Sequence, residues 1–518
     1  MSRAVVVGSG PNGLVAAITL ARAGLEVVVL EANRELGGAV RSRELTRPGF
    51  VHDLGAGFFP FSHASPALVG LDLEGAGLSW RRAPLESAHP GPDGTCPAIA
   101  VDADVTAQSF GADGDAWRRL ASWFGRVRPR LVPVLLAPPV PLFDALALGP
   151  ATLARLALLG LSSGRGYSER LFATEPARRV MPGLALHTDI APGDRAGAAV
   201  GFMLAGLAGT SGNWVPEGGA GAITKALLRR LDEAGGVVRR AEHVDAVVVR
   251  AGRAVAVRTA SGEELSASCI VADVSAPSLY LRLLDEAWVP ASLRRKMRGF
   301  RQGFGTFKLD WALSGPVPWT SEAARRAAVV HAGDSNDDLQ RFAEEVRAGR
   351  LPEHPYLVIG QQSLADPTRA PQGQHTLWAY SRVPSNLAWQ RERDAFADRV
   401  ERRIEELAPG FRATILARHI TAPPDLEATN ENLIGGDLGG GSAQIQNQLF
   451  FRPAFPYFRY RTPVRGLYLG SSYAHPGAGV HGACGLNAAH AALRELSTGS
   501  PWTGTIRQPR RERGARGA

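Results

Sequence analysis

Gly8, Gly10 and Gly13 stand at the spacing G-x-G-x-x-G, and a carboxylate, Glu31, closes the next apolar run. Those residue types suit a dinucleotide. Gly8 permits a tight turn, Gly10 leaves no side chain between backbone and pyrophosphate, and Gly13 lets a helix pack closely on a strand. The pyrophosphate gains from unpaired N–H groups and the dipole at a helix N-terminus, while Glu31 can accept both ribose hydroxyls. Three other side chains are candidates for proton chemistry. Lys308 is one of only three lysines, with Lys225 and Lys296, in a chain that otherwise uses arginine for positive charge. His475 precedes the glycine-rich run Gly477–Gly482 and His481 lies within it, and imidazoles titrate near neutral pH. Each has a structural alternative: a solvated strand-end lysine, or histidines that hydrogen-bond the loop backbone. Cys96, Cys269 and Cys484 are far apart and form no C-x-x-C, which argues against a disulfide framework, a redox dithiol or a zinc site. No metal is expected.

The elements that must position these residues can be read from the same stretch. The apolar run Val5–Val7 suits a buried parallel strand, Pro11 sits at a harmless first-turn position, and Leu14–Ala23 carries helix formers up to a stop at Gly24. A second strand, Glu26–Leu30, delivers Glu31. Near the middle, Val215–Gly221 opens a helix predicted over Ala222–Ala234, followed by strands at Val237–Arg240, Val244–Arg250, Ala254–Thr259 and Cys269–Ala272. The turn at Gly252 marks an antiparallel hairpin. Residues 276–460 alternate strands such as Gly305–Leu313 and Tyr356–Gln361 with helices such as Glu392–Leu407. His52 and Asp53 close a third strand and read as structural. The chain ends its ordered part with a strand at Gly466–Gly470, a loop, and a helix at Leu486–Leu493. The fold class is therefore α/β: a Rossmann-like domain assembled from residues 1–80, 210–285 and 459–498, and an α+β substrate domain from 81–209 and 286–458. Residues 499–518 form a basic tail.

The 518 residues are 45% hydrophobic, with 59 Gly and 36 Pro, as in a folded, loop-rich α/β protein large enough for two domains. The formal charge of +9 owes five positive charges to the Arg507–Ala518 tail, and no basic stripe with interleaved aromatics suggests a nucleic-acid partner. The N-terminus enters a strand within a few residues, which leaves no room for a signal peptide, so the cytoplasm is the expected compartment. Trp117–Arg130, followed by the apolar Leu131–Leu161, has two readings. One is a peripheral membrane or lipid-entrance surface; the other is an ordinary helix with Trp117 and Phe124 turned inward. Pro133, Pro138, Pro139 and Pro141, with Asp144 and Arg155, exclude a membrane span there. Ala196–Pro216 reads as a buried Gly/Ala-rich helix followed by a loop.

Beyond Glu31 come Gly37-Gly38, Arg41 and Gly49–Gly55, and near the other end lies Tyr460–Ala489 with its Gly-Ser-Ser-Tyr-Ala-His-Pro-Gly-Ala-Gly-Val-His-Gly core. These segments resemble flavoproteins of the FAD-dependent phytoene desaturase-like and amine oxidase superfamily. Within it they resemble the branch called pyridine nucleotide-disulfide oxidoreductase domain-containing protein 2. The resemblance implies FAD bound through Gly8, Gly10, Pro11, Asn12, Gly13, Glu31, Ala32, Gly37, Gly38 and Arg41. It adds Val244 at the adenine and Gly470, Gly479 and Val480 near the isoalloxazine. Many relatives carry Arg directly after the paired glycine, where this chain has Ala39. The second G-x-G-x-x-G, Gly477–Gly482, is followed by no strand ending in an acid, so it reads as a helix N-terminus under the flavin and not as a nicotinamide site. In amine oxidases a lysine on the comparable strand holds a water beside flavin N5, which makes Lys308 the implied catalytic residue, with His475 and His481 near the ring. The implied reaction is two-electron oxidation or desaturation of a hydrophobic, polyene- or isoprenoid-like substrate by hydride transfer to N5, with the electron acceptor undefined. The alternatives are an amine oxidase using Lys308 and a non-catalytic flavin-bearing assembly protein.

Overall fold

A computed structural model describes residues 2–139 and 141–498, so the Arg507–Ala518 tail lies outside the described residues. The strand Arg3–Val7, the helix Pro11–Arg22 and the strand Glu26–Glu31 form the expected β-α-β unit, with Val7 opposite Leu30 in parallel register. This unit sits inside a five-stranded parallel sheet. The order across it is Leu467–Leu469, Cys269–Ala272, Arg3–Val7, Glu26–Glu31 and Val237–Arg240. Ala4, Val5, Val6, Ile270, Val271 and Ala272 have no exposure, which is why these strands read as continuous apolar runs: both faces are covered. The helix Pro11–Arg22 contacts the helices Gly221–Glu233 and Ala483–Thr498. The hairpin Val244–Arg250 and Arg253–Thr259 adds a small antiparallel sheet.

The second layer is a seven-stranded sheet in the order Ile415–Thr421, Gly305–Leu313, His375–Val383, Leu357–Gly360, Ala327–Ala332, Leu85–Ala88 and Ala98–Ile99. Its central strands show the period-two logic of a sheet with two different faces. Phe307, Leu309, Trp311 and Leu313 point one way, with Leu377 and Ala379, into a core closed by the helix Trp389–Leu407. Phe307 stacks on Trp389 at 5.3 Å and meets Phe396 edge-on at 5.0 Å. Thr306, Lys308 and Asp310 point the other way, and in register they face Arg382, Tyr380 and Trp378. That polar face looks toward the nucleotide layer.

Helices between residues 103 and 208 form a third body. Trp117 and Phe124 are buried in it, and Gly206 leaves the space that the Phe124 ring fills. The helix Gly114–Leu136 runs through Pro129 and Pro133. Leu142, Phe143 and Leu146 beyond it are exposed, as are Leu449, Phe450, Phe451 and Phe455. A hydrogen bond from Arg459 to the Pro139 carbonyl, at 3.4 Å, joins the two segments. Among the described residues no helix is long and apolar enough to cross a membrane.

Two boundaries differ from the sequence reading for physical reasons. The strand Val51–Asp53 pairs with Ser42–Glu44 as a two-stranded ribbon outside the parallel sheet, because Asp53 is drawn into a buried ionic cluster. The last helix starts at Ala483, not Leu486. Gly485 within it lies against the Asn12 backbone, so the helix can begin early and still seat closely on its neighbour.

Candidate active site

The carboxyl ends of the parallel strands all open on one side, the side where ligands bind in open α/β sheets. A continuous cavity of about 860 Å³ begins there and runs to the polar face of the seven-stranded sheet. At the nucleotide end it is lined by Gly8, Gly10, Pro11, Asn12, Glu31, Ala32, Gly38 and Val244. Gly479 and Val480 line it from the far segment. Glu31 is held by Ser9 N at 2.9 Å, Ser9 Oγ at 2.7 Å and Asn33 N at 2.9 Å. A carboxylate has about four acceptor sites, so this fixes its orientation and leaves capacity toward the cavity.

Asp273 follows the strand Cys269–Ala272 and was not singled out from sequence. Its Oδ2 accepts from Gly13 N at 2.9 Å. It thereby caps the helix Pro11–Arg22, whose own N-cap position, Gly10, has no side chain to do so. The glycine motif is shaped around this carboxylate. A Cβ on Gly10 would stand 2.7 Å from Asp273 Oδ2, and one on Gly8 2.8 Å from the Asp273 carbonyl oxygen. Burial, the weak opposing effect of the Gly13 N–H and repulsion from Glu31 place the Asp273 carboxyl at about 7. No fixed spacing to the motif marks Asp273, because it arrives from a strand far away in the chain.

Four of the expected cofactor residues stand behind the cavity wall. Gly13 faces Asp273, and Gly37 has φ +108 with its N–H donating to Ser9 Oγ at 3.2 Å. Gly470 packs against Val271 and Ala488. Arg41 does not line the cavity: its guanidinium donates to the Gly38 carbonyl at 2.7 Å and the Thr429 carbonyl at 3.2 Å, so it braces the paired glycine from behind.

The three expected catalytic residues each have protein partners and stand outside the cavity lining. Lys308 points to the correct face of its sheet, yet its Nζ lies 2.5 Å from both Asp310 carboxylate oxygens and 3.0 Å from the Asp53 carbonyl. It does not line the cavity. Asp53 in turn binds Arg369 at 3.0 Å, Ser42 Oγ at 2.7 Å and Ala220 N at 2.7 Å, and Arg369 holds Asp366 at 2.9 Å. This buried cluster bolts the two layers together. Burial pushes the Asp310 carboxyl up, but Lys308 and His52 more than offset it, so the net direction is down. A compact ammonium with three donors fits two carboxylate oxygens and a carbonyl, which accounts for lysine where the chain elsewhere writes arginine. His475 donates to the Leu135 carbonyl at 3.1 Å, and burial lowers it to about 4. His481 accepts from Ala483 N at 3.1 Å, meets Phe61 edge-on at 5.7 Å, and burial likewise lowers it to about 4. Both hold the glycine-rich loop and neither lines the cavity.

At the opposite end the cavity is walled by Leu184, Val200, Met203, Leu204, Val329 and Val358, and by Trp378, Tyr380, His187, Asp189 and Arg382. Arg382 is ion-paired with Asp189 at 3.0 Å and donates to Thr306 Oγ1 at 2.7 Å. Trp378 and Tyr380, two residues apart on one strand, stack at 5.8 Å. Sequence reasoning missed this group, since His187, Asp189 and Tyr380 carry no motif and meet only through the fold. Away from the cavity, Asp334, Asp338 and His354 cluster, but Arg403 already pairs with Asp334, and His354 contacts Asp338 at 3.1 Å.

The profile of the NAD(P)-binding Rossmann-like domain matches residues 6–71. Pyridine nucleotide-disulfide oxidoreductase domain-containing protein 2 of Mus musculus is 29% identical, across 95% of this chain and 93% of its own length. A neurosporene-forming phytoene desaturase of Rhodobacter capsulatus is 27% identical, across 93% and 91%. These likenesses, over nearly the whole chain, support the FAD-dependent oxidoreductase superfamily. A solved oxidoreductase from Methanosarcina mazei shares the flavoprotein's fold with a TM-score of 0.63 at 16% identity, covering 95% of this chain and all of that one. A redesigned putrescine oxidase does so with a TM-score of 0.62 at 18% identity, covering 96% and 99%.

The residues present fit FAD. The N-terminus of the helix at Pro11 lines the cavity and offers a positive dipole end to a pyrophosphate, and the loop Gly477–Val480 that leads toward the helix at Ala483 lines it from the other segment. Gly38 approaches so closely that a Cβ there would stand 3.0 Å from Gly10 Cα, and Asn12 Oδ1 is buried with no protein partner. Gly8, Gly10, Glu31 and Gly38 would hold the diphosphate and ribose, and Val244 the adenine. The loop Gly477–Val480 would lie along the ring.

Proposed function

We propose that this FAD-dependent oxidoreductase oxidises or desaturates a hydrophobic substrate by removing a hydride and a proton from neighbouring atoms. The observation that carries this reading is the single cavity, in which the nucleotide end is continuous with an apolar end walled by Leu184, Val200, Met203, Leu204, Val329 and Val358. FAD, when bound, supplies the two-electron acceptor at its N5. The chain's own residues bind and orient the reactants and exclude water, which is what a cofactor enzyme asks of its protein. The apolar wall places a carbon chain, and the paired aromatic rings of Trp378 and Tyr380 bound it on one side. The resemblance to phytoene desaturases favours a polyene or isoprenoid. Amine oxidation loses its main support, because the Lys308 ammonium is bound to Asp310 and turned from the cavity.

A route for such a substrate is also proposed. Ile445 lines the cavity and is 42% exposed, and the exposed Leu449, Phe450 and Phe451 continue the same segment. With Phe143 across the Arg459–Pro139 hydrogen bond, this makes an apolar rim carrying a cation, suited to an anionic lipid surface. The test of the function is anaerobic mixing of the holoprotein with isoprenoid hydrocarbons, ketones and amines. Bleaching of the flavin absorbance by an isoprenoid supports the reading; bleaching by amines alone, or by nothing offered, overturns it.

A further inference from the structure

Behind the apolar end of the cavity lies a chain of three side chains that no part of the reading above uses. The Tyr380 hydroxyl is 3.2 Å from His187 Nδ1, and His187 Nε2 is 2.7 Å from His331 Nε2. Tyr380 and His187 line the cavity; His331 is buried behind them, stacked on His89 at 4.7 Å. Burial lowers His187 to about 3 and His331 well below its ordinary value, so both rings are neutral. Two neutral imidazoles sharing one short contact must supply one N–H and one lone pair. His331 Nδ1 has no partner, since the neighbouring Tyr356 hydroxyl is committed to the Gly183 carbonyl at 2.6 Å.

Only two proton arrangements satisfy these contacts. If Tyr380 donates to His187, the chain ends with a buried N–H on His331 that meets nothing. If His331 donates to His187 and His187 donates to Tyr380, the chain ends with an unused lone pair on His331. An orphaned buried N–H is the rarer of the two ends, so we assign the second arrangement. In it the tyrosine oxygen accepts from His187, and its own O–H has no acceptor among the described residues and is left for the cavity.

We propose that the substrate carries an oxygen that accepts a hydrogen bond, and that Tyr380, held as a donor by His187 and His331, reads it. This rests on the cavity being the substrate site of the flavin enzyme, and it narrows the substrate from a bare hydrocarbon to an oxygenated one such as an isoprenoid ketone. Tyr380 touches the substrate; His187 and His331 are positioning residues.

The test titrates holoprotein, without turnover, with geranylacetone, an isoprenoid ketone, and with farnesene, an isoprenoid hydrocarbon, reading the shift in the flavin spectrum. The wild type is expected to bind the ketone roughly tenfold more tightly, the order expected when a buried donor is otherwise left unpaired. Tyr380→Phe is expected to bring the two within about twofold by lowering ketone affinity while farnesene binding stays unchanged. His331→Asn, which keeps a donor, is expected to preserve more of the preference than His331→Leu. Equal binding of both probes by the wild type, or a preference that survives Tyr380→Phe, overturns the proposal alone. No flavin perturbation by either probe, while thermal shifts report binding, overturns the underlying reading of the cavity and this inference with it.

Discussion

Lys308 shows how a residue's rarity marks a special place without naming its task. A lysine among so many arginines does mark a special place, but the special feature is the tight fit to Asp310 and the Asp53 carbonyl. Lys308→Met leaves Asp310 charged and buried, and the expected loss is about 3–5 kcal/mol of folding free energy, measured by chemical denaturation. The double variant Lys308→Met with Asp310→Leu removes both charges and is expected to recover most of that loss. A Lys308→Met protein of wild-type stability that cannot be reduced by substrate would instead return Lys308 to the chemistry. At this scale the legible residues were those whose role is written in local spacing. Gly8, Gly10, Glu31 and Gly38 line the cavity because a glycine motif and a strand-end acid are fixed by one β-α-β unit. Asp273, His187 and Tyr380 were illegible because each reaches the cavity from a different strand or loop, and no interval in the sequence encodes their meeting. The partners of Lys308, His475 and His481 were not legible, because sequence reveals a side chain's neighbourhood but not which partner it satisfies first.

Among the elements, the contact between the helices Pro11–Arg22 and Ala483–Thr498 matters most for the cofactor. Gly485 lies against the Asn12 backbone oxygen, and an added methyl would be driven into that oxygen. Backbone cannot give way as a flexible side-chain tip can, so the later helix must shift and take the loop Gly477–Val480 with it. Gly485→Ala is therefore expected to reduce bound flavin per chain at least about tenfold while far-ultraviolet circular dichroism stays unchanged. Gly160→Ala, where the new methyl meets open space within another helix, serves as the control and is expected to keep full flavin. Loss of flavin from both variants would detach the effect from this contact. The period-two pattern of Gly305–Leu313 and His375–Val383 is the other element-scale lesson. It sorts aromatic anchors to the helix side and Thr306, Lys308, Trp378, Tyr380 and Arg382 to the nucleotide side, so one sheet serves as both core and active-site wall.

For the whole molecule, the proposed lipid contact rests on the exposed apolar side chains of Phe143, Phe450, Phe451 and Phe455. Wild-type protein is expected to float with anionic phospholipid vesicles, and the double variant Phe143→Ser, Phe455→Ser to remain unbound while keeping its flavin. Both side chains are largely solvent-exposed, at 86% and 68%, so the substitutions leave the core intact. Equal flotation of the two proteins would place the lipid contact elsewhere, and no flotation of the wild type would remove it.

The parallel sheet takes Arg3–Val7 and Glu26–Glu31 early, Val237–Arg240 and Cys269–Ala272 midway, and Leu467–Leu469 almost last. During synthesis on a ribosome, the nascent chain must therefore wait. The first strands gain their outer partners only when residues 237–272 emerge from the exit tunnel, and the dinucleotide crevice its far wall only when residues 467–480 do. Pairings so distant in sequence form slowly, and half-made sheets invite chaperone capture. The crevice that would hold flavin is thus complete only once nearly the whole chain has been made.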